Sequence, residues 1–298
     1  MKTPVNFLGL DYASPLWAAS GTYGWGLEAV DGEFLPASGL GALVTKGVSP
    51  LPMAGAPQPR VAELAGGIGM LNAIGLQNPG LNKFLSGYVA RYDRGDFPLP
   101  IWVNVFADSI AGFVQVIDGL RRHVAARRSR WLAGFELNVS CPNVDKGGTE
   151  FGAQRSVLEK LVAESVAAAG AFPVMVKLSP MSSDPVDLAK ACADSGARAL
   201  SVANTMPAGF PILGREDTWA LGRRFGGMSG PALKPIALRL VNLLATQTSL
   251  EICGVGGIQS AQDVREFLSA GARVVQVGTA HFAQPWICED IYAELQNN

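Results

Sequence analysis

Short apolar runs rich in Val, Ile, Leu and Ala alternate along this chain with longer segments, several of them of helical period. The runs are Leu16–Ser20, Ala42–Lys46, Ile101–Phe106, Phe135–Ser140, Val174–Ser179, Ala199–Asn204, Ile252–Gly257 and Val274–Thr279. Such alternation marks a parallel sheet built from βα units, and eight units are the number that closes a barrel. The expected fold class is therefore α/β, a (βα)8 TIM barrel. Helices are expected over 109–126, 156–169, 185–195, 231–246 and 261–270. The first has an apolar stripe at Ile110, Phe113, Val114, Val116 and Ile117, and the fourth opens on Pro231, where a missing N–H costs nothing. Phe7–Tyr12 reads as a small hairpin or plug ahead of the barrel, with further inserted loops over its C-terminal face. At 48% hydrophobic and 16% charged residues the chain can fill one large core, and no linker divides residues 1–298, so a single domain is expected.

Nearly every run ends in a polar residue or glycine: Ser20, Lys46, Asn104, Asn138, Lys177, Asn204, Gly256-Gly257 and Gly278-Thr279. In a βα barrel these ends converge on the face that carries the active site. Gly256-Gly257 after strand seven and Gly278-Thr279 after strand eight occupy the usual phosphate position, where backbone N–H groups and a helix N-terminus meet the anion. A phosphorylated ligand follows. No carboxylate stands near Lys177 in sequence, so its ammonium is available to stabilise a reduced flavin, and Lys46 could do likewise or pair with a substrate carboxylate. Either lysine could instead form the Schiff base of a barrel aldolase. The loop Met70–Gly80, with Asn72, Gln77 and Asn78, adds neutral donors and acceptors to Asn138, Asn143, Asn204 and Thr205, which suits a flat, amide-rich ring. Cys141 lies between Asn138 and Asn143 where a strand gives way to a loop, a setting for chemistry rather than packing.

A formal charge of −1 offers no footprint for nucleic acid or an anionic membrane. Cys141, Cys192, Cys253 and Cys288 include no C-x-x-C pair, so no metal site is expected. Cys192, Cys253 and Cys288 read as core. His123, among Arg121, Arg122, Arg127 and Arg128, reads as a solvated face, and His281 as structural. The opening residues lack the apolar core of a secretory signal, and no run reaches a membrane span, so a cytoplasmic protein is expected.

Five stretches, Gly69–Gly80, Glu136–Val144, Val176–Pro180, Gly226–Pro235 and Gly254–Ile258, resemble the dihydroorotate dehydrogenase family in its own order over almost the whole chain. The resemblance implies FMN as cofactor and oxidation of dihydroorotate to orotate in pyrimidine biosynthesis. Cys141 would be the base that removes the C5 proton while hydride passes from C6 to flavin N5. Position by position it implies that Ser20, Thr45, Lys46, Asn104, Asn138, Lys177, Ala203, Gly230, Gly256, Gly257, Gly278 and Thr279 touch FMN. Lys46, Asn72, Ala73, Ile74, Gly75, Leu76, Asn138, Asn143, Asn204 and Thr205 would hold the substrate, under a closing loop from Val144 to Gly152. Cysteine at 141 is the class 1 form. Leu71–Gly80 resembles class 1B, whose separate subunit carries FAD and a 2Fe-2S cluster and reduces NAD; a homodimer is expected, or else a heterotetramer with that subunit. Class 1A members are fumarate-linked homodimers, and a dihydropyrimidine dehydrogenase-like reductase shares the barrel and cysteine. Met206–Arg224 departs from the family pattern.

Overall fold

The apolar runs form eight parallel strands that close on themselves in sequence order: β1 (Leu16–Ala18), β2 (Ala42–Val44), β3 (Ile101–Val105), β4 (Leu132–Asn138), β5 (Val174–Leu178), β6 (Ala199–Val202), β7 (Glu251–Val255) and β8 (Val274–Val277). Pairing of Val275 with Leu16 and Val277 with Ala18 completes the ring. This computed structural model describes residues 4–32, 39–139, 151–212, 214 and 218–297. The expected barrel is the observed one.

Helices α1 (Ile110–Arg127), α2 (Arg155–Ala169), α3 (Pro185–Asp194), α4 (Lys234–Gln247) and α5 (Ala261–Ser269) fall where periodicity puts them. Their starts have local causes. Ser109 accepts a bond from Gly112 N–H, Asp184 from Asp187 N–H and Ser260 from Asp263 N–H, each satisfying an amide that the first turn leaves without a partner. α4 is entered through a 3-10 turn at Pro231–Leu233. The apolar stripe of α1, with Phe113, Val116, Ile117 and Leu120 buried, lies against the outside of the barrel.

Inside, one end of the barrel is sealed by aromatic rings. The hairpin Val5–Phe7 with Leu10–Tyr12 brings Phe7 edge-on to Trp17 at 5.2 Å, Trp17 stacks on Trp102 at 5.7 Å, and Trp102 donates to the Tyr12 hydroxyl at 3.1 Å. Position 134 has to be glycine, because a Cβ there would lie 2.5 Å from the Trp102 ring. With that end filled by Phe7, Tyr12, Trp17, Trp102, Met175 and Cys253, polar side chains inside the barrel are confined to the layers toward the other mouth.

Two insertions meet over that mouth. Met206–Ala208, Gly226–Ser229, Gly69–Asn72 and Val61–Leu64 form a four-stranded antiparallel sheet where inserted loops were expected. Sequence patterning also gave no indication of the helical stretch Gly80–Asp93 or of helix α6 (Ile287–Gln296).

His123 corrects an expectation. It is not on a solvated face: its Nε2 lies 2.7 Å from Asp93 Oδ2, while Asp93 Oδ1 accepts from Ser129 Oγ at 2.5 Å and Trp131 Nε1 at 2.9 Å. Burial opposes the charged form of Asp93, but these hydrogen bonds outweigh it and hold the carboxyl below its usual range. Asp93→Ala should cost about 2–4 kcal/mol, because three donors lose one acceptor. A depressed native pKa contributes stability that is full above the unfolded value of about 3.9 and is lost as pH falls through the native value. Denaturant titrations should therefore show the gap between wild type and variant constant near neutrality and narrowing below about pH 4; a gap that widens with acid would contradict this.

Candidate active site

Alternation along the strands turns Asn104 on β3, Glu136 on β4, Lys177 on β5, Ser201 on β6 and Gln276 on β8 into one buried polar layer above the aromatic seal. Its centre is Glu136, which has no solvent exposure. Glu136 Oε1 accepts from Asn104 Nδ2 at 2.7 Å and faces Lys177 Nζ at 3.6 Å; Oε2 accepts from Gln276 Nε2 at 2.9 Å. A buried carboxylate is tolerated only when surrounded this way. Lys177 has no carboxylate near it in sequence, yet the fold sets Glu136 beside it. Sheet pairing sets β4 beside β5, with Asn138 opposite Lys177, whatever their separation in sequence. A signal was present, since Glu136 interrupts an otherwise apolar strand between Phe135 and Leu137.

One rim of the mouth gathers amides. Asn204 Nδ2 donates to Asn138 Oδ1 at 3.2 Å, Asn204 Oδ1 accepts from Thr205 N–H at 2.8 Å, and Asn72 Nδ2 donates to Gly227 O at 3.3 Å. Gly227 packs against the Thr205 side chain, leaving no room for a Cβ, so Asn72, Thr205, Asn204 and Asn138 form one continuous edge. The stretch Ala73 to Leu76 is fixed from outside: Ala73 N–H donates to Arg60 O, Ile74 O accepts from Ala56 N–H, and Leu76 O accepts from Asn78 Nδ2. Gly75 and Leu76 both have positive φ, at 70° and 56°. Thr45 joins two strand ends, donating to Lys46 O at 2.9 Å and accepting from Asn104 N–H at 3.2 Å. Burial pulls the Lys46 ammonium below its ordinary pKa, with Glu28 raising it and Arg60 lowering it further.

The adjoining stretch of the mouth is built on glycine. Gly257 (φ 73°) passes so close to the following turn that a Cβ would lie 2.8 Å from Gly230 O and 3.1 Å from Lys234 N. Gly230 crosses Gly69 equally closely, and Thr279 Oγ1 donates to Ser229 Oγ at 2.8 Å. Ala203 N–H donates to Val255 O next to Gly256, and Ala19 N–H to Val277 O, which seats Ser20 beside Gly278. The strand-end residues proposed to hold a cofactor therefore lie around one mouth.

The described residues suit FMN in a further respect. Asn104 Oδ1, Gln276 Oε1 and Ser201 Oγ are buried without a hydrogen-bond partner among them, and such acceptors near a barrel mouth can be satisfied by a ring N–H or an ordered water. Cys141 and Asn143, together with residues 144–150 of the expected closing loop, lie outside the described residues. Cys192, Cys253 and Cys288 are buried, as packing requires, and burial pushes the thiols of Cys192 and Cys288 up to about 12. His281 is buried with Nε2 3.2 Å from Cys288 Sγ, and burial lowers its pKa to about 4. In the divergent segment, Pro211 bridges to Trp219, Arg224 lies over the Trp219 ring at 5.9 Å, and Gly222 N–H donates to Pro59 O, so it forms an outer flap on the inserted sheet. Among the described residues no group of three or more His, Cys, Asp or Glu could hold a metal, and no helix is long and apolar enough to cross a membrane.

The two glycine ends predict different tolerances. Gly257→Ala places a Cβ against backbone at positive φ and should cost about 1–3 kcal/mol. At Gly278 the nearest atom to a Cβ would be 3.4 Å away, so Gly278→Ala should stay within about 1 kcal/mol of wild type. Thermal denaturation of both variants checks the ranking; equal losses would contradict it.

A family model described as Dihydroorotate dehydrogenase matches residues 3–298. Similar curated proteins include two named dihydroorotate dehydrogenase B (NAD(+)), catalytic subunit. That of Lachnoclostridium phytofermentans is 41% identical, covering 99% of this chain and 94% of the relative. That of Halalkalibacterium halodurans is 42% identical, covering 99% and 92%. Among solved structures, DHODH from Eimeria tenella in complex with ferulenol superposes with a TM-score of 0.78 at 20% identity, over 99% of this chain and 84% of that one, a likeness of fold. On the match of its whole length to the family model and of its sequence to these relatives, this chain belongs to the dihydroorotate dehydrogenase family.

Proposed function

We propose that this chain is an FMN-dependent dihydroorotate dehydrogenase of the NAD-linked B type, oxidising dihydroorotate to orotate and passing electrons to a partner subunit. The names of its relatives support both the activity and the partner. The observation in the fold that carries the reading is the Lys177–Glu136 pair beneath an amide-lined mouth.

Bound FMN supplies a two-electron acceptor for the hydride that leaves C6 of dihydroorotate. The glycine rim of Gly230, Gly256, Gly257, Gly278 and Thr279 would hold its phosphate, and Lys177, Asn104, Thr45 and Ser20 would hold its ring system. Asn72, Asn138, Asn143, Asn204 and Thr205 orient the pyrimidine, with Lys46 set against the substrate carboxylate. The Cys141 sulfur takes the proton from C5; the C5–H electron pair becomes the new C5=C6 bond as the C6–H pair departs as hydride, so the product is orotate. FAD and a 2Fe-2S cluster belong to the partner, which carries the electrons onward to NAD.

Anaerobic mixing of purified protein with dihydroorotate should bleach the flavin and release one orotate per flavin. Cys141→Ser should slow this by at least about 100-fold and abolish a rise in rate toward pH about 8.5, the range in which an ordinary thiol ionises. A colourless protein, a flavin untouched by dihydroorotate, or a pH profile unchanged in the variant would refute the assignment.

A further inference from the structure

Glu136 was not among the residues expected to act, yet three inward-facing polar side chains on three other strands converge on it. Two of these, Asn104 and Lys177, are assigned to the cofactor; the third, Gln276, is not. We propose that Glu136 is a positioning residue: it holds Lys177 and Asn104 from beneath and partly neutralises the lysine ammonium, thereby setting the reduction potential of the bound flavin. The proposal rests on the flavin site argued above.

The charges decide the direction. A cation beside an isoalloxazine ring stabilises the negative charge that the ring gains on reduction, which raises the potential. A carboxylate 3.6 Å from that cation and fully enclosed by protein is weakly screened, and it withdraws part of the effect. Glu136 therefore holds the potential below the value that Lys177 alone would give. That keeps the reduced centre able to pass its electrons to a low-potential acceptor.

The neighbours make the experiment clean. Gln276 Nε2 donates to Glu136, while Gln276 Oε1 is buried with no hydrogen-bond partner among the described residues. Glu136→Gln keeps the volume, keeps an acceptor for Asn104, and can donate its new N–H to Gln276 once that amide turns over. Charge is removed and hydrogen bonding is kept.

The midpoint potential of the bound flavin is read by equilibration with reference dyes during enzymatic reduction, without dihydroorotate, and sulfite affinity is measured in parallel. Glu136→Gln should shift the potential to a more positive value and tighten sulfite binding, while Glu136→Asp should remain closer to wild type in both. A flavin-loaded Glu136→Gln with an unchanged or more negative potential overturns the proposal. If Glu136→Gln does not retain flavin but Glu136→Asp does, charge rather than shape is confirmed as the requirement; loss of flavin from both assigns Glu136 to packing alone and overturns it. Wild type without flavin would refute the cofactor site itself, whereas wild type bleached by dihydroorotate beside an unmoved Glu136→Gln potential refutes only this inference.

Discussion

A carboxylate with no access to water must be surrounded by donors, and in this barrel Glu136 imposes that requirement on strands from opposite sides of the ring. Asn104 comes from β3, Lys177 from β5 and Gln276 from β8, so one side chain on β4 draws three others toward the barrel axis. The cost of burying the charge is offset only while those partners stay in place. The layer is consequently rigid in the sense that matters for a cofactor: moving any one of its members leaves a buried polar group without a partner.

The rest of the molecule supports that layer from two directions. Below it, the stacked rings of Trp17 and Trp102 and the Phe7–Tyr12 hairpin exclude water and keep the polar side chains directed to one mouth. Above it, the mouth is chemically divided. One rim presents the amides of Asn138, Asn204 and Asn72, neutral hydrogen-bonding groups; the other presents backbone at Gly230, Gly256 and Gly257, where a side chain would not fit. The inserted sheet joins the two, because Gly227 touches Thr205 while Ser229 touches Thr279.

How much of this was legible in the sequence depended on the range of the interaction. The barrel strands are apolar runs, and the helix starts at Ser109, Asp184 and Ser260 are local capping events, so both could be read from neighbouring residues. The strand-end residues at the mouth were legible because a closed barrel brings equivalent positions together. The Glu136–Lys177 pair was not, since only strand register sets these residues side by side. Nor was the inserted sheet, whose strands Gly69–Asn72 and Gly226–Ser229 are glycine-rich, half-buried and without alternation. His123 was misread because its partner Asp93 comes from a different helix.

The central claim is that one barrel mouth, floored by the Glu136 layer, holds a flavin phosphate on its glycine rim and a pyrimidine against its amide rim. A crystal structure of the protein with FMN and orotate measures this most directly. The account predicts the phosphate among the backbone N–H groups of residues 256–257 and 278–279, the ring system over Lys177 and Asn104, and orotate between it and Asn72, Asn138 and Asn204. A phosphate bound away from both glycine ends, or orotate held elsewhere in the molecule, would contradict it.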